Sequence, residues 1–198
     1  MKFRGVVMAS VGVCLAFAGP AGAEDAARKF AVEDGGRASC RAFLAARKDQ
    51  ASADYRQMIG FVEGYLTAAN RYEKDTFDLS PWHSEAAFGL IFEKHCTAHP
   101  GDTLIGTLQK LTISFRPLRL AQYSRLVEVG SGKDKAIVYE MILKRAQGAL
   151  RTRGLYSGAQ DGRYSSAMRD ALVQFQKQQK LQPTGVPDAA TLWTLLNP

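Results

Sequence analysis

Apolar side chains recur at helical spacing through most of the chain. Between about Asp54 and Arg71 they fall every three or four positions, at Tyr55, Met58, Ile59, Val62 and Leu66. This period predicts a helix that buries one face in a core. A further helix is expected to end at Cys96. Asp102 is placed to cap another helix, which carries Leu104, Ile105, Leu108 and Leu111. The first part of the chain is therefore predicted to be all-α.

Three shorter helices joined by tight turns are predicted near the C-terminus. The first, of about 13 residues, carries Ile142, Leu143, Ala146 and Leu150, and Gly154 stands where a left-handed C-cap would end it. Asp161-Gly162 is a turn dipeptide, and Ser165 or Ser166 can cap a second helix. That helix carries Met168, Leu172 and Phe175, and Asp188 can cap a third helix with Leu192, Leu195 and Leu196.

A short cluster of glycine, serine and charged residues, Gly130-Ser131-Gly132-Lys133-Asp134, separates these two groups of helices. The chain of 198 residues is long enough for two small domains. The predicted domains are residues 24–130, a helical domain, and residues 136–198, a three-helix module.

The first 23 residues have the pattern of a secretory signal peptide. Lys2 and Arg4 precede the apolar run Val6–Ala18, and Ala21-Gly22-Ala23 offers small residues for cleavage. The run is about 13 residues long and no later stretch approaches the roughly 20 apolar residues of a membrane span. We therefore expect residues 1–23 to be removed and the product to be periplasmic or secreted. Cys14 follows Val13 rather than a small residue, which argues against a lipid anchor.

The formal net charge is +7, and the excess lies mainly in the last third of the chain. Residues 24–139 hold 16 Lys and Arg against 15 Asp and Glu, whereas residues 140–198 hold 8 against 4. An exported chain without a run of Lys and Arg is not expected to bind nucleic acid. A polyanionic wall would attract it modestly.

Cys40 and Cys96 are the two cysteines left after removal of the leader. In an exported protein they are expected to form a disulfide, with two free buried thiols as the alternative. His95 and His99 flank Cys96 at helical spacing and could join it around a metal ion. Because no fourth ligand is nearby, the disulfide is preferred and no metal is expected.

The C-terminal motifs resemble those of the peptidoglycan-binding domain often fused to cell-wall hydrolases and transpeptidases. The resemblance rests on an ordered set of segments: Gln147 and Leu150, Gly154-Leu155-Tyr156, Asp161-Gly162-Arg163-Tyr164, Ala171-Leu172-Val173-Gln174-Phe175-Gln176, and Thr184-Gly185 through Thr191-Leu192. It implies a three-helix fold and peptidoglycan as the ligand. Ser165-Ser166 stands where the family usually has Gly-Pro, and Met168 where it usually has Thr, which could alter affinity for the wall.

Five residues are the candidate ligand-binding set, namely Asp161, Gly162, Arg163, Tyr164 and Arg169. Asp161 and Gly162 are expected to form the turn that places the next side chains. An aromatic ring suits a sugar face, and a guanidinium can pair with a stem-peptide carboxylate. Tyr164 and Arg169 lie outside the apolar stripe of the second helix, and a plain surface role for Tyr164 and the two arginines is the alternative.

Residues 39–113 resemble the HdeA-like family of small periplasmic proteins, in which two cysteines in this arrangement are bridged. The resemblance rests on Cys40, Phe43, Leu44, Gly60, Phe61, Glu63, Gly64 and Cys96. A similar cysteine framework occurs in some small bacterial immunity proteins. Residues 114–129 lie outside the resemblance.

No catalytic constellation was found in the sequence. There is no Gly-x-Ser-x-Gly segment, and His83, His95 and His99 lack the His-Glu-x-x-His arrangement of a zinc hydrolase. Glu63 and Asp75 could be cast as the two carboxylates of a muramidase, although such residues are common on any helix and turn. No cofactor is expected.

The leading hypothesis is a non-catalytic envelope protein that binds peptidoglycan through its C-terminal module. Its helical domain would serve binding or envelope maintenance, with an envelope protein as its partner. The alternatives are a peptidoglycan hydrolase of the muramidase type and an acid-stress chaperone held at the wall.

Overall fold

The computed structural model describes residue 27 and residues 29–197, and the predicted leader at residues 1–23 lies outside them. The described residues from Val32 onward belong to one compact unit. Among the residues described, no helix is both long enough and apolar enough to cross a membrane.

The first part of this unit is helical, as predicted. Its helices are α1 (Asp34–Arg37), α2 (Cys40–Ala46), α3 (Ala53–Tyr72), α4 (Glu85–Ala98) and α5 (Leu104–Phe115), followed by a 3-10 turn at Arg116–Leu118. α3 buries the five apolar residues that its spacing predicts: Tyr55, Met58, Ile59, Val62 and Leu66.

Four of these helices begin at a serine or threonine whose hydroxyl accepts a backbone N–H in the first turn. The caps are Ser39, Ser52, Ser84 and Thr103. The predicted cap of α5, Asp102, is wrong by one residue, because its carboxylate instead accepts hydrogen bonds from His95 at 2.9 Å and Lys110 at 2.7 Å. Each cap satisfies an N–H group that would otherwise lack a partner at the helix start.

The predicted disulfide is confirmed, since Cys40 at the start of α2 is bonded to Cys96 near the end of α4. Both cysteines are fully buried in an apolar cluster with Phe43, Phe92 and Leu108. Residues far apart in the chain are thus tied together inside the core of the helical part.

A β-hairpin follows, so the predicted all-α class is only approximate. β1 (Leu126–Ser131) pairs antiparallel with β2 (Asp134–Tyr139), with Ser131 opposite Asp134 beside the turn. The cluster that suggested a linker is therefore the hairpin turn. Gly132, with φ 60°, takes the first turn position, where a positive φ suits the twist of the strands. β-branched residues on both sides of the turn favour strands.

The three predicted C-terminal helices are present as α6 (Glu140–Thr152), α7 (Ser166–Gln178) and α8 (Ala189–Leu196). Gly154, with φ 71°, ends α6, and the Leu155 N–H donates to the Leu150 carbonyl at 2.9 Å. Ser165, one of the two predicted candidates, caps α7, and Asp188 caps α8 as predicted. The capping pattern at Gly154 satisfies carbonyls at the end of α6.

The core of these three helices includes residues from the first part of the chain. Trp82 and Leu120 are buried in the same apolar cluster as the helices, together with Val129 and Val138 from the hairpin. The Arg145 guanidinium of α6 donates to the carbonyls of Leu118 and Arg119, the latter at 2.8 Å. The apolar core of the C-terminal helices is thus completed by residues that precede the hairpin. The predicted boundary at residues 130–136 stays a prediction.

His83 lies where the helical part meets α8. Its ring packs against Trp82, Phe88, Phe115 and Trp193, with centroid distances of 4.6 to 5.6 Å. Neither ring nitrogen has a hydrogen-bond partner among the described residues. Burial lowers the pKa of His83 to about 4, and the backbone of Ser80 raises this pKa by a smaller amount. The neutral imidazole is therefore the form that this aromatic cluster accommodates.

The disulfide predicts a large effect of reduction on stability. Closing a loop across 56 positions stabilises the fold by about 4 kcal/mol in the chain-entropy model. We expect the unfolded, unreduced mature protein to show no titratable thiol. Its melting temperature should fall by about 10 °C on reduction. The Cys40→Ser/Cys96→Ser variant is the control, because its lower melting temperature should not respond to reductant. Two titratable thiols in protein taken from the periplasm would contradict the prediction.

His83 predicts a loss of stability in mild acid. The unfolded state binds a proton near pH 6.5 and the folded state only near pH 4, so stability falls as the pH drops through this window. Across this whole pH window the free energy of unfolding should fall by about 3 kcal/mol. His83→Phe should show a much smaller fall of melting temperature between pH 7 and 4.

The matched control is His99→Asn, because His99 is exposed and should leave the wild-type pH profile intact. Burial raises the pKa of Asp78, which works in the opposite direction. The difference between wild type and His83→Phe therefore isolates the histidine. Equal pH profiles for these two proteins would show that His83 does not control acid stability.

Candidate functional site

The turn that carries the predicted site residues is held by one buried amide, that of Gln147 on α6. Its Oε1 accepts the Gly162 N–H at 2.8 Å, and its Nε2 donates to the Arg163 carbonyl at 2.9 Å and to the Asp161 carboxylate at 3.1 Å. Gln147 is fully buried, so these bonds are shielded from water. A fully satisfied buried amide of this kind fixes the turn in one conformation.

Gly162 is required at this turn for two reasons. Its φ of 79° lies in the left-handed region, and a Cβ atom there would come within 2.7 Å of the Glu140 carbonyl oxygen. Any larger residue would be strained by both effects. Gly162 is also buried, so it can influence a ligand only by positioning the residues next to it.

Asp161 is exposed, and its carboxylate supports the turn. Oδ1 accepts the Arg163 N–H at 2.9 Å in addition to the Gln147 bond. These two donors lower the pKa of Asp161, with the backbone of Arg163 as the larger cause. The carboxylate is therefore held ionised and oriented by the turn itself.

A second turn is held in the same way by Gln176 of α7. Its Oε1 accepts the Gly185 N–H at 2.7 Å, and its Nε2 donates to the Val186 carbonyl at 2.9 Å and to the Thr191 hydroxyl at 3.0 Å. Gly185 also has a positive φ, of 76°. Gln176 belongs to the Ala171–Gln176 motif, and the motif alone does not show this role. The available signal was a glutamine on a helix followed by an x-Gly turn, which occurs twice in this module.

Tyr164 connects the two turns. Its hydroxyl donates to the Gly185 carbonyl at 2.9 Å, and its half-buried ring packs against the core of the three helices. Burial raises the pKa of Tyr164. Tyr164 lies outside the apolar stripe of α7, yet its ring and hydroxyl both contribute to the module's structure.

The two predicted arginines are exposed near this junction of turns. Arg169 approaches Gly185, since a Cβ atom on that glycine would come within 2.6 Å of Arg169 Cγ. Its guanidinium pairs with Asp170 at 3.0 Å, an exposed contact of small energetic value. Arg163 extends from the Gln147-held turn. The structure thus brings Tyr164 and Arg169 together at Gly185 and places Arg163 one residue from Tyr164.

Two of the candidate metal ligands are engaged in other contacts. Cys96 is consumed by the disulfide, and His95 bonds to Asp102. Within the described ranges, no group of three or more His, Cys, Asp or Glu side chains could hold a metal ion. Glu63 is exposed on α3 and Asp75 lies in the turn that follows it, and neither makes an ion pair with any described residue.

Comparison with known proteins finds a family match for the C-terminal helices. Residues 142–195 match the family model described as a peptidoglycan binding domain. No curated protein and no solved structure gives a significant match to the chain. The resemblance of residues 39–113 to the HdeA-like family stays a prediction. The matched segment contains α7, both glutamine-held turns and all five candidate residues. Residues 142–195 are therefore similar to the peptidoglycan-binding family, which is consistent with a C-terminal peptidoglycan-binding domain.

Proposed function

We propose that this chain is an exported envelope protein that binds peptidoglycan through its C-terminal module. Its disulfide-bonded helical part then serves a non-catalytic role in binding or envelope maintenance. The observation that carries the proposal is the family match over residues 142–195, which supports peptidoglycan binding.

The geometry of the module supports this function. Two buried glutamines hold two turns rigidly, and those turns meet at Tyr164 and Gly185. Exposed guanidinium groups stand beside them, and a guanidinium can pair with the carboxylates of the wall's peptides. A preorganised surface loses less conformational entropy when it binds a polymer.

The cellular location in this proposal is the periplasm or the outer face of the cell, in association with the wall. The leader pattern of residues 1–23 supports export. A disulfide in a chain of this size is also typical of compartments where thiols are oxidised.

Binding to the wall should depend on the two exposed arginines of the site. We expect mature protein, from residue 24 onward, to sediment with insoluble peptidoglycan. The Arg163→Ala/Arg169→Ala variant should bind at least about tenfold more weakly, since the two lost charged contacts together cost about 2 kcal/mol or more. The mature chain is preferred over residues 136–198 alone because Trp82 and Leu120 complete the module's core.

Lys177→Ala is the matched control, because Lys177 is an exposed cation on the same helix and eight positions beyond Arg169. It should sediment like wild type. Tyr164→Phe keeps the packed ring and removes only the hydroxyl, so it tests this residue with less damage to the fold than Tyr164→Ala. Equal sedimentation of wild type and the arginine variant would remove both arginines from the site. No sedimentation of wild type would contradict the proposed function.

The proposal also predicts no lytic activity. A general acid or base contributes about 10² to 10⁴ in rate, so a true hydrolase would be evident in a wall-clearing assay. We expect purified mature protein to leave a peptidoglycan suspension turbid and to give no band on a zymogram. If it clears the suspension, and Glu63→Gln abolishes the clearing without lowering the melting temperature, the chain is a muramidase and the non-catalytic proposal is wrong.

A further inference from the structure

A groove of about 380 Å³ lies along β2. One wall is formed by four consecutive strand residues, 136–139, and another by residues 78 and 80–84 in the segment before α4. The third wall is the start of α8, with Pro187, Asp188 and Ala189. Only this third wall belongs to the segment that matches the peptidoglycan-binding family. The groove is therefore a feature that the rest of this chain adds to the module.

The strand wall presents an unpaired sheet edge. β2 pairs with β1 along one edge, and the sheet contains these two strands only, within the residues described. Ser131 and Asp134 close a two-residue turn, which makes them a hydrogen-bonded pair. Because such pairs alternate along an antiparallel ladder, the N–H and C=O of Ile137 are directed away from β1. An edge of this kind can accept hydrogen bonds from, and donate them to, another chain.

The groove is acidic on a chain that is basic overall. Its lining contains two carboxylates, Asp78 and Asp188, and no Lys or Arg, although the chain carries a net charge of +7. Asp188 caps α8 through Oδ1. Asp78 accepts the Ser80 N–H at 2.9 Å and also has the Tyr139 and Asn70 side chains as hydrogen-bond partners, but among the described residues it forms no ion pair. Burial of the carboxylate raises the pKa of Asp78 by more than its hydrogen bonds lower it.

Unsatisfied polar groups lie in the same wall. Trp82 lines the groove and is only 7% exposed, yet its indole N–H has no hydrogen-bond partner among the residues described. The two ring nitrogens of the adjacent His83 also have none. A buried donor without an acceptor is unfavourable for the fold.

We propose that this groove binds the stem peptide of peptidoglycan, with the amino group of its diamino acid at Asp78 and its amide groups along Ile137. The inference rests on the proposed function and extends it to a named part of the polymer. An ammonium group forms a charge-assisted hydrogen bond with the unpaired carboxylate. The glycan strands offer hydroxyl and acetamido groups but no ammonium group. The groove's volume lies at the low end of small-ligand pockets, which fits a short peptide.

The test is calorimetric titration of the mature protein with three synthetic peptides. The first is a stem tetrapeptide with a free amino group on its diamino acid, and the second is the same peptide with that amino group acetylated. The third is a tetrapeptide of L-residues in which lysine supplies the amine. We expect the free-amine stem peptide to bind at least about tenfold more tightly than the acetylated peptide, because acetylation removes the charge. It should also bind more tightly than the L-peptide.

Two variants test the groove independently. Asp78→Asn removes the unpaired charge. Ile137→Lys adds a cation at the strand edge, at a site that is 70% exposed and lies opposite Glu128, so the fold should tolerate it. Both should weaken binding of the free-amine stem peptide by about tenfold or more. The matched control is Ile113→Lys, the same substitution at an isoleucine that is 65% exposed on α5 and does not line the groove.

A fluorescence measurement locates the peptide. The chain has two tryptophans, so Trp193→Phe leaves Trp82 in the groove as the single reporter. We expect its emission to change on titration with the free-amine stem peptide.

The outcomes separate this inference from the proposed function, which is measured by sedimentation with whole wall. Sedimentation of the mature protein together with equal affinity for the free and acetylated stem peptides would overturn the groove assignment and leave wall binding intact. Equal binding by wild type and Ile137→Lys would also overturn it. Binding of the L-lysine peptide as tight as that of the stem peptide would make a protein segment the occupant and reject the stem peptide. Failure of the mature protein to sediment would reject the proposed function. The peptide titrations would still decide whether the groove binds the stem peptide.

Discussion

The C-terminal module depends on two buried side-chain amides. Gln147 and Gln176 each satisfy a backbone N–H and a backbone carbonyl in a turn that has no secondary structure of its own. Buried backbone groups without partners would cost too much for three short helices to offset. The amides therefore allow the turns to sit inside the module rather than around it. The Tyr164 hydroxyl then joins the two turns through Gly185.

This arrangement holds the two turns of the candidate surface in place and leaves a few exposed side chains beside them. Asp161 and Gly162 act within the turn, so their replacement would change the surface by moving it. Arg163 and Arg169 are exposed and can change without disturbing the amides.

Much of the fold follows from local signals in the sequence. The face of α3, the disulfide and the caps Ser165 and Asp188 could be predicted because each depends on neighbours in the chain or on two cysteines alone. The hairpin was missed because a Gly-Ser cluster is typical of linkers and of tight turns alike. The flanking β-branched residues are the signal that distinguishes the two. Asp102 and Thr103 are both good caps, and only the geometry separates them.

The candidate site was predictable only in part, for a different reason. The turn residues could be named from their motif, but the roles of Gln176 and Tyr164 depend on contacts across the module. The groove along β2 could not be predicted at all. Its walls come from residues more than a hundred positions apart, and its charge pattern exists only after folding.

The position of Trp82 and Leu120 in the module's core bears on how such a protein could act. If the helical part were joined to the module by a flexible linker, the module would be a simple tether and its affinity would be independent of the rest of the chain. Here a shared core and the Arg145 bonds connect them. Any ligand that contacts both the strand edge and α8 would then stabilise their packing. By linkage, packing of the helical part would raise the affinity for that ligand. Recognition of the polymer would in this way depend on residues that lie outside the family's own boundaries.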